Sequence, residues 1–181
     1  MQAVTASPAT ARRPRFQRRT RNAVLVLHVA SIGAWIGVDV VLGVLVFTAL
    51  GSDDVDVKAL CYRALGLFLP WPLLVAGLAT LATGITLGLG TVYGVLRYWW
   101  VVTKLGLNLV LSGLVPVLLG PALSDAVLYG RQLGEGQPAT ESVLRSVDNL
   151  VFPPLVSGAA LLVAVILAVY KPWGRIRRRP A

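Results

Sequence analysis

Between Ala23 and Leu50 the chain is apolar apart from two ionisable side chains, His28 and Asp39. A charged carboxylate near a bilayer centre costs about 2.5–3.5 kcal/mol on insertion scales, so it must face a helix bundle or a water-filled cavity. Three readings are open to Asp39: exchange of a proton or cation, a neutral carboxyl hydrogen-bonded to a neighbouring helix, or a carboxyl near the outer interface in a tilted span. At 1.5 Å per residue Asp39 lies roughly 24 Å from the inner end of this run, beyond mid-membrane. His28, Trp35 and Asp39 stand at i, i+7 and i+11, within about 20° of one helical stripe. Gly33 and Gly37 fall on the opposite face. His28 and Asp39 are roughly 16 Å apart along the axis, so a relay between them needs other groups or water. The imidazole can switch charge near neutral pH or ligate haem iron; it can equally bond a backbone carbonyl near the inner interface.

A second polar stripe carries Lys104, Asn108 and Ser112 at successive i+4 steps. Lys104 sits about 9 Å into its run, close enough for its ammonium to snorkel to the inner headgroups. Asn108 and Ser112 lie nearer the depth of Asp39, and a hydrogen bond from either to Asp39 is the expected interhelical polar contact. Thr80, Thr83 and Thr86 add hydroxyls that can also bond their own helix. Asp39, His28, Trp35, Lys104, Asn108 and Ser112 form the candidate intramembrane polar site. No nucleophile–base pair, phosphate loop or metal-ligand spacing accompanies them, and Gly88-Leu89-Gly90 lacks the strand–turn–helix setting of a dinucleotide fingerprint. The expectation is a protein that is not an enzyme, with no metal and no cofactor.

These residues need helices to hold them. Apolar runs predict four spans at about 23–50, 65–89, 98–119 and 151–170. Asp53 or Asp54 can cap a short helix over Val55–Arg63. Pro70 and Pro72 should kink the start of span 2, and Pro116 removes the hydrogen bond to the Ser112 carbonyl in span 3. A longer polar segment follows, about Gly120 to Asn149. Within it Thr140 can cap a helix whose Val143, Leu144, Val147, Leu150 and Val151 share one face, expected as an interfacial helix leading to Pro153-Pro154. Span 4 holds no ionisable residue and is expected to be structural.

Composition agrees. Of 181 residues, 56% are hydrophobic and 14% charged, with mean hydropathy +0.73. One soluble core of this size cannot hide that much apolar surface, so lipid must cover part of it. The net charge of +9 does not point to nucleic acid, because its distribution is that of flanking tails. Residues 1–21, expected to be a disordered tail, carry six arginines, and residues 171–181 carry five basic side chains. The twin Arg12-Arg13 precedes a run too long for a signal peptide. With both termini inside, thirteen of the 17 basic residues face the cytoplasm, counting Arg97 and Lys104, and seven of the eight acids face outward. That satisfies the positive-inside rule and suits anionic lipid at the cytoplasmic face. Cys61 stands alone, so no intrachain disulfide forms.

Small residues recur every fourth position: Gly33 and Gly37; Ala76, Thr80, Gly84 and Gly88; Ala160, Ala164 and Ala168. Each line allows a second helix to come close.

Four segments carry a family resemblance: Leu27-His28-Val29-Ala30 with Trp35-Ile36-Gly37; Thr83 to Thr91; Arg97 to Lys104; and Lys171-Pro172-Trp173-Gly174. Together they resemble an uncharacterised actinobacterial family of small four-helix integral membrane proteins, and more distantly the copper-resistance D and haem-binding four-helix membrane proteins. The resemblance spans most of residues 22–175 and implies the fold without an activity. A bis-histidine haem needs two imidazoles and copper several soft ligands, whereas this chain has His28, Cys61 and Met1 alone. The expected fold is an all-α four-transmembrane-helix bundle, multi-pass in the cell membrane, with residues 22–173 as its domain and 174–181 as a basic tail. The first functional expectation is a non-enzymatic accessory or interaction subunit, alone, as a homo-oligomer or in a larger membrane complex. The alternatives are a small transporter or proton/cation conductor using Asp39 and His28, and a haem-binding electron-transfer protein.

Overall fold

A computed structural model describes residues 17–90 and 98–170; the tail arginines before Gln17, the connection around Arg97 and the basic C-terminal segment lie outside the described residues. Among the described residues every element is helical: α1 (Arg18–Gly51), α2 (Val55–Phe68), α3 (Pro70–Gly90), α4 (Trp99–Leu114), α5 (Gly120–Gly134), α6 (Glu141–Asp148) and α7 (Phe152–Tyr170). A π-helical stretch, Val115–Leu119, joins α4 to α5, and a 3₁₀ turn, Asn149–Val151, joins α6 to α7. The seven helices thus stack into four rods.

Local chemistry explains the joints. Asp54 caps α2, its Oδ1 accepting from the Asp56 N–H at 2.8 Å and the Val57 N–H at 3.4 Å. The second rod breaks at Leu69, since Pro70 lacks an N–H and disfavours helical geometry in the residue before it. Gly136, at φ 65°, makes the turn that reverses the chain between α5 and α6.

The segment after Leu119 differs from the expected polar connection. Pro116 cannot donate to the Ser112 carbonyl, but the chain answers with a wider turn instead of stopping. The Gly120 N–H donates to the Val115 carbonyl, five residues back, and helix continues to Gly134. The third rod is therefore 36 residues long. The expected helix after Thr140 is α6, which packs on α5, burying Val143 and Val147, and runs on into α7 through buried Leu150. Leu144 of the expected apolar face stays exposed. Pro153 and Pro154 lie in the first turn of α7, where a missing N–H costs nothing.

Four helical segments are long and apolar enough to cross a membrane: Arg18–Gly51, Pro70–Gly90, Trp99–Gly134 and Glu141–Tyr170. At 1.5 Å per residue the longest rod measures roughly 54 Å, against a hydrocarbon core of about 30 Å. The excess lies at one end of the bundle, termed the outer end from the expected orientation, where α2 packs against α1 and α5, and α5 against α6. The best-buried side chains gather there and just below: Leu42, Val46 and Ala49 of α1 with Leu65, Leu69, Leu123, Ala126 and Leu150. Two glycines bring α2 and α5 together. A Cβ on Gly66 would meet the Leu123 carbonyl at 2.8 Å, and one on Gly130 the Ala59 carbonyl at 2.7 Å. Elsewhere the outer surface of the rods is apolar, with Val26, Leu78, Val117 and Val169 all exposed, a surface that hydrocarbon solvates and water does not.

Small-residue lines behave differently from one another. In α3 the line Ala76–Thr80–Gly84–Gly88 turns inward, where α3 packs against α1. In α7 Ala160 and Ala164 are half-buried and Ala168 is exposed. Gly33 and Gly37 of α1 face open space, with no atom within 4 Å of an added Cβ.

A lateral slot with an acid at its foot

The stripe on α1 faces the bundle: Trp35 and Asp39 are buried and His28 half-buried. Three other helices meet this stripe at three depths.

At the inner level, His28 meets α3. Thr83 Oγ1 lies 2.6 Å from the Ala79 carbonyl of its own helix and 3.2 Å from that of Thr80. Its single proton goes there, so the hydroxyl accepts from His28 Nδ1–H at 2.8 Å. Gly84 gives the imidazole room: a Cβ there would stand 3.3 Å from His28 Cε1. Lys104 of α4 is near enough to act electrostatically on His28, and its Nζ lies 4.8 Å from the centre of the Trp100 ring.

At the middle level, Trp35 lies over Gly77 of α3 and beside Ser112 of α4. A Cβ on Gly77 would come within 2.7 Å of Ser112 Oγ and 3.3 Å of the indole. Ser112 Oγ, Asn108 Oδ1 and Thr80 Oγ1 are buried with no hydrogen-bond partner among the described residues.

At the outer level, Asp39 faces α7 and not α4, so the expected bond to Asn108 or Ser112 is not made. Asp39 Oδ2 lies 3.7 Å from where a Gly158 Cβ would stand, and Ser157 is its polar neighbour. Even so, Asp39 Oδ1 and Ser157 Oγ are both buried with no hydrogen-bond partner among the described residues. The six sequence-nominated residues therefore divide into an inner group (His28, Lys104), a middle group (Trp35, Asn108, Ser112) and Asp39. Sequence reasoning missed Ser157, although it is the one hydroxyl in the apolar run 155–169 and is followed by a glycine that admits a partner.

Asp39 and Trp35 line a slot of about 520 Å³ between α1, the third rod and the fourth. Asp125, Ser146 and Asn149 line it at the polar outer end. Its walls are apolar, and Val117, Leu118, Phe152 and Val156, which flank it on α4–α5 and α7, are exposed on the outer surface. The π-helical stretch forms one wall, so the widened turn that Pro116 imposes shapes the slot directly. By helix rise the step from Asp39 to the level of Asn149 is roughly 14 Å. Asp39 lines this slot while its Oδ1 is buried with no hydrogen-bond partner among the described residues, and a carboxyl so placed can take up a proton or a cation. Among the described residues no three His, Cys, Asp or Glu side chains converge in a way that could hold a metal. Compared with protein-family models, with curated proteins and with solved structures, the chain matches none.

Proposed function

We propose that the protein is a multi-pass membrane protein with both termini in the cytoplasm, acting as a small carrier of protons or cations in which Asp39 is the binding group. One observation carries this reading: Asp39, whose Oδ1 is buried with no hydrogen-bond partner among the described residues, lines an apolar slot that also holds Asp125, Ser146 and Asn149. A carboxyl kept for scaffolding would have its bonding capacity filled, because an unmet buried polar group destabilises a helix pair. The polar residues inward of Asp39, from Ser112 and Thr80 to His28, extend the same polar face towards the cytoplasmic side. The orientation rests on the basic excess of both tails. Reporters fused to the two ends test it, and signals from opposite faces of the membrane would refute it.

The carrier reading is tested by reconstitution into vesicles with an enclosed pH dye. Flux driven by a proton or cation gradient is expected in the native protein and lost in Asp39→Asn; undiminished flux in that variant rejects Asp39 as the carrier group. The accessory-subunit reading keeps one support of its own, the open Gly33 and Gly37 face on α1, which offers another helix a flat approach. Recovery of the protein in a stable larger complex, without flux on its own, would favour that reading. His28, bonded to Thr83 and seated on Gly84, is read here as a structural imidazole. A Soret band in the purified protein would reverse that.

A further inference from the structure

The slot is far larger than a proton or a bare ion requires. A water molecule occupies about 30 Å³ of liquid, and sites for drug-sized ligands run to about 300–1,000 Å³. At about 520 Å³ this slot falls in the second class, yet its walls are apolar and its deep end holds one carboxylate. Among the described residues its lining includes two acids, Asp39 and Asp125, and no basic residue. Trp35 lies beside Asp39 at the foot, and the indole and the carboxylate both attract a diffuse positive charge. The exposed side chains along the flanks, Val117 and Leu118 on one side and Phe152 and Val156 on the other, set the opening sideways, between the third and fourth rods.

We propose that the slot binds an organic monocation with an apolar body, of the alkyl- or arylammonium and phosphonium class, its charge against Asp39 and Trp35 and its body between α4 and α7. The proposal rests on the reading of Asp39 as the cation-binding group and names its substrate class. Charge complementarity selects the cation. Apolar walls select the body, since a hydrated metal ion or a polyamine would leave its water against Leu111, Val115 and Val156. The sideways opening suits a ligand that first partitions into hydrocarbon.

The test is equilibrium binding of radiolabelled tetraphenylphosphonium to the full-length protein in lipid nanodiscs, with empty nanodiscs as the partition control. Saturable binding near one per chain is expected. Asp39→Asn should weaken it at least tenfold. Val156→Trp should do the same by filling the slot from an exposed wall position where the fold is not at stake. Uncharged tetraphenylsilane should not compete. Uptake no greater than in empty nanodiscs, or binding unchanged in Val156→Trp, overturns the proposal. If flux depends on Asp39 but no saturable binding occurs, the organic-cation assignment fails and the carrier reading stands. Saturable binding indifferent to Asp39→Asn overturns both.

Discussion

Replacing Asp39 by leucine should make the protein more stable while abolishing the proposed carrier activity. Asp39 is 7% exposed, and its Oδ1 is buried without a hydrogen bond. A buried polar atom left unmet costs about 1–3 kcal/mol, and a carboxylate at this depth costs about 2.5–3.5 kcal/mol if charged. Leucine removes that penalty. Its extra bulk has somewhere to go, because the slot adjoins the site and the nearest α7 position is a glycine, with a Cβ there 3.7 Å from Oδ2. Overpacking, about 1–3 kcal/mol in a closed core, is therefore small here. The expected net change is a stabilisation of about 1–3 kcal/mol in Asp39→Leu, with Asp39→Asn within about 1 kcal/mol of native. Unfolding by SDS in mixed micelles, followed by far-ultraviolet circular dichroism and tryptophan fluorescence, reads both variants. Destabilisation of Asp39→Leu by more than about 1 kcal/mol would refute the reasoning, since the carboxyl would then be a structural bond. Gained stability with lost flux is the signature of a residue retained for activity.

Two glycines should respond in opposite directions. Gly130→Ala, which drives a methyl to 2.7 Å from the Ala59 carbonyl, should destabilise by about 1–3 kcal/mol in the same assay, whereas Gly33→Ala, into open space, should stabilise by about 0.5–1 kcal/mol. Equal effects would mean that α2 and α5 are not in close contact. Tyr62, outside the spans, has its phenol pushed up from 10.0 to about 12, first by burial and then by Tyr129, Asp148 and Cys61. The fold thus favours the neutral phenol. Its contribution is complete below the unfolded value near 10 and disappears as pH rises through 12, so the melting temperature should fall over that window in the native protein and less in Tyr62→Phe. Burial likewise raises the Cys61 thiol, so maleimide labelling at neutral pH should be slow until denaturant is added. Rapid labelling of the native protein would contradict that packing.

Helical character and the inward stripe of α1 are legible in the residues, because both follow from short-range geometry: apolar run length and 100° per residue. Asp54 as a cap is legible for the same reason. What was not legible depended on neighbours. Helix rise puts Asn108 and Ser112 near the depth of Asp39; Ser112 instead lies at the level of Trp35, and position along a helix does not say which helix stands beside which. Ser112 is held by Trp35 and Gly77, and α7 takes the place beside Asp39. The helix from Gly120 to Gly134 was hidden because Pro116, Gly120 and Pro121 all signal a break to a local rule. A π turn absorbs the lost hydrogen bond and α2 covers the continuing face, which is a tertiary contact that no local pattern announces. Gly66 and Gly130 escaped notice because they are not four apart in one helix; each serves a partner on the other.

The distribution of good and poor packing argues that the slot belongs to how the molecule works. At the outer end, α2 and α5 meet through two glycines, and α6 buries Val143 and Val147 against α5. That clasp fixes all four rods at one end. Below it, Thr80 Oγ1, Asn108 Oδ1, Ser112 Oγ, Ser157 Oγ and Asp39 Oδ1 are buried with no hydrogen-bond partner among the described residues, an arrangement that costs about 1 kcal/mol or more for each atom left unmet. A bundle that served only to hold a partner would gain by replacing these residues with leucine and alanine, as the packing physics of membrane helices allows. The strain is also not spread evenly. It lies on α1, α3, α4 and α7, around the slot and inward of it, while the clasp carries one such atom among the described residues, Gln132 Oε1. Of these residues, Asp39 and Ser157 line the slot, where something that enters it can bond them. A carrier of this build would need the third and fourth rods to part below the clasp. Cross-linking α4 to α7 across the slot, by cysteines at Leu118 and Val156 in a Cys61→Ala background, should therefore stop flux while leaving the fold intact. Full flux in the cross-linked protein would place the path elsewhere.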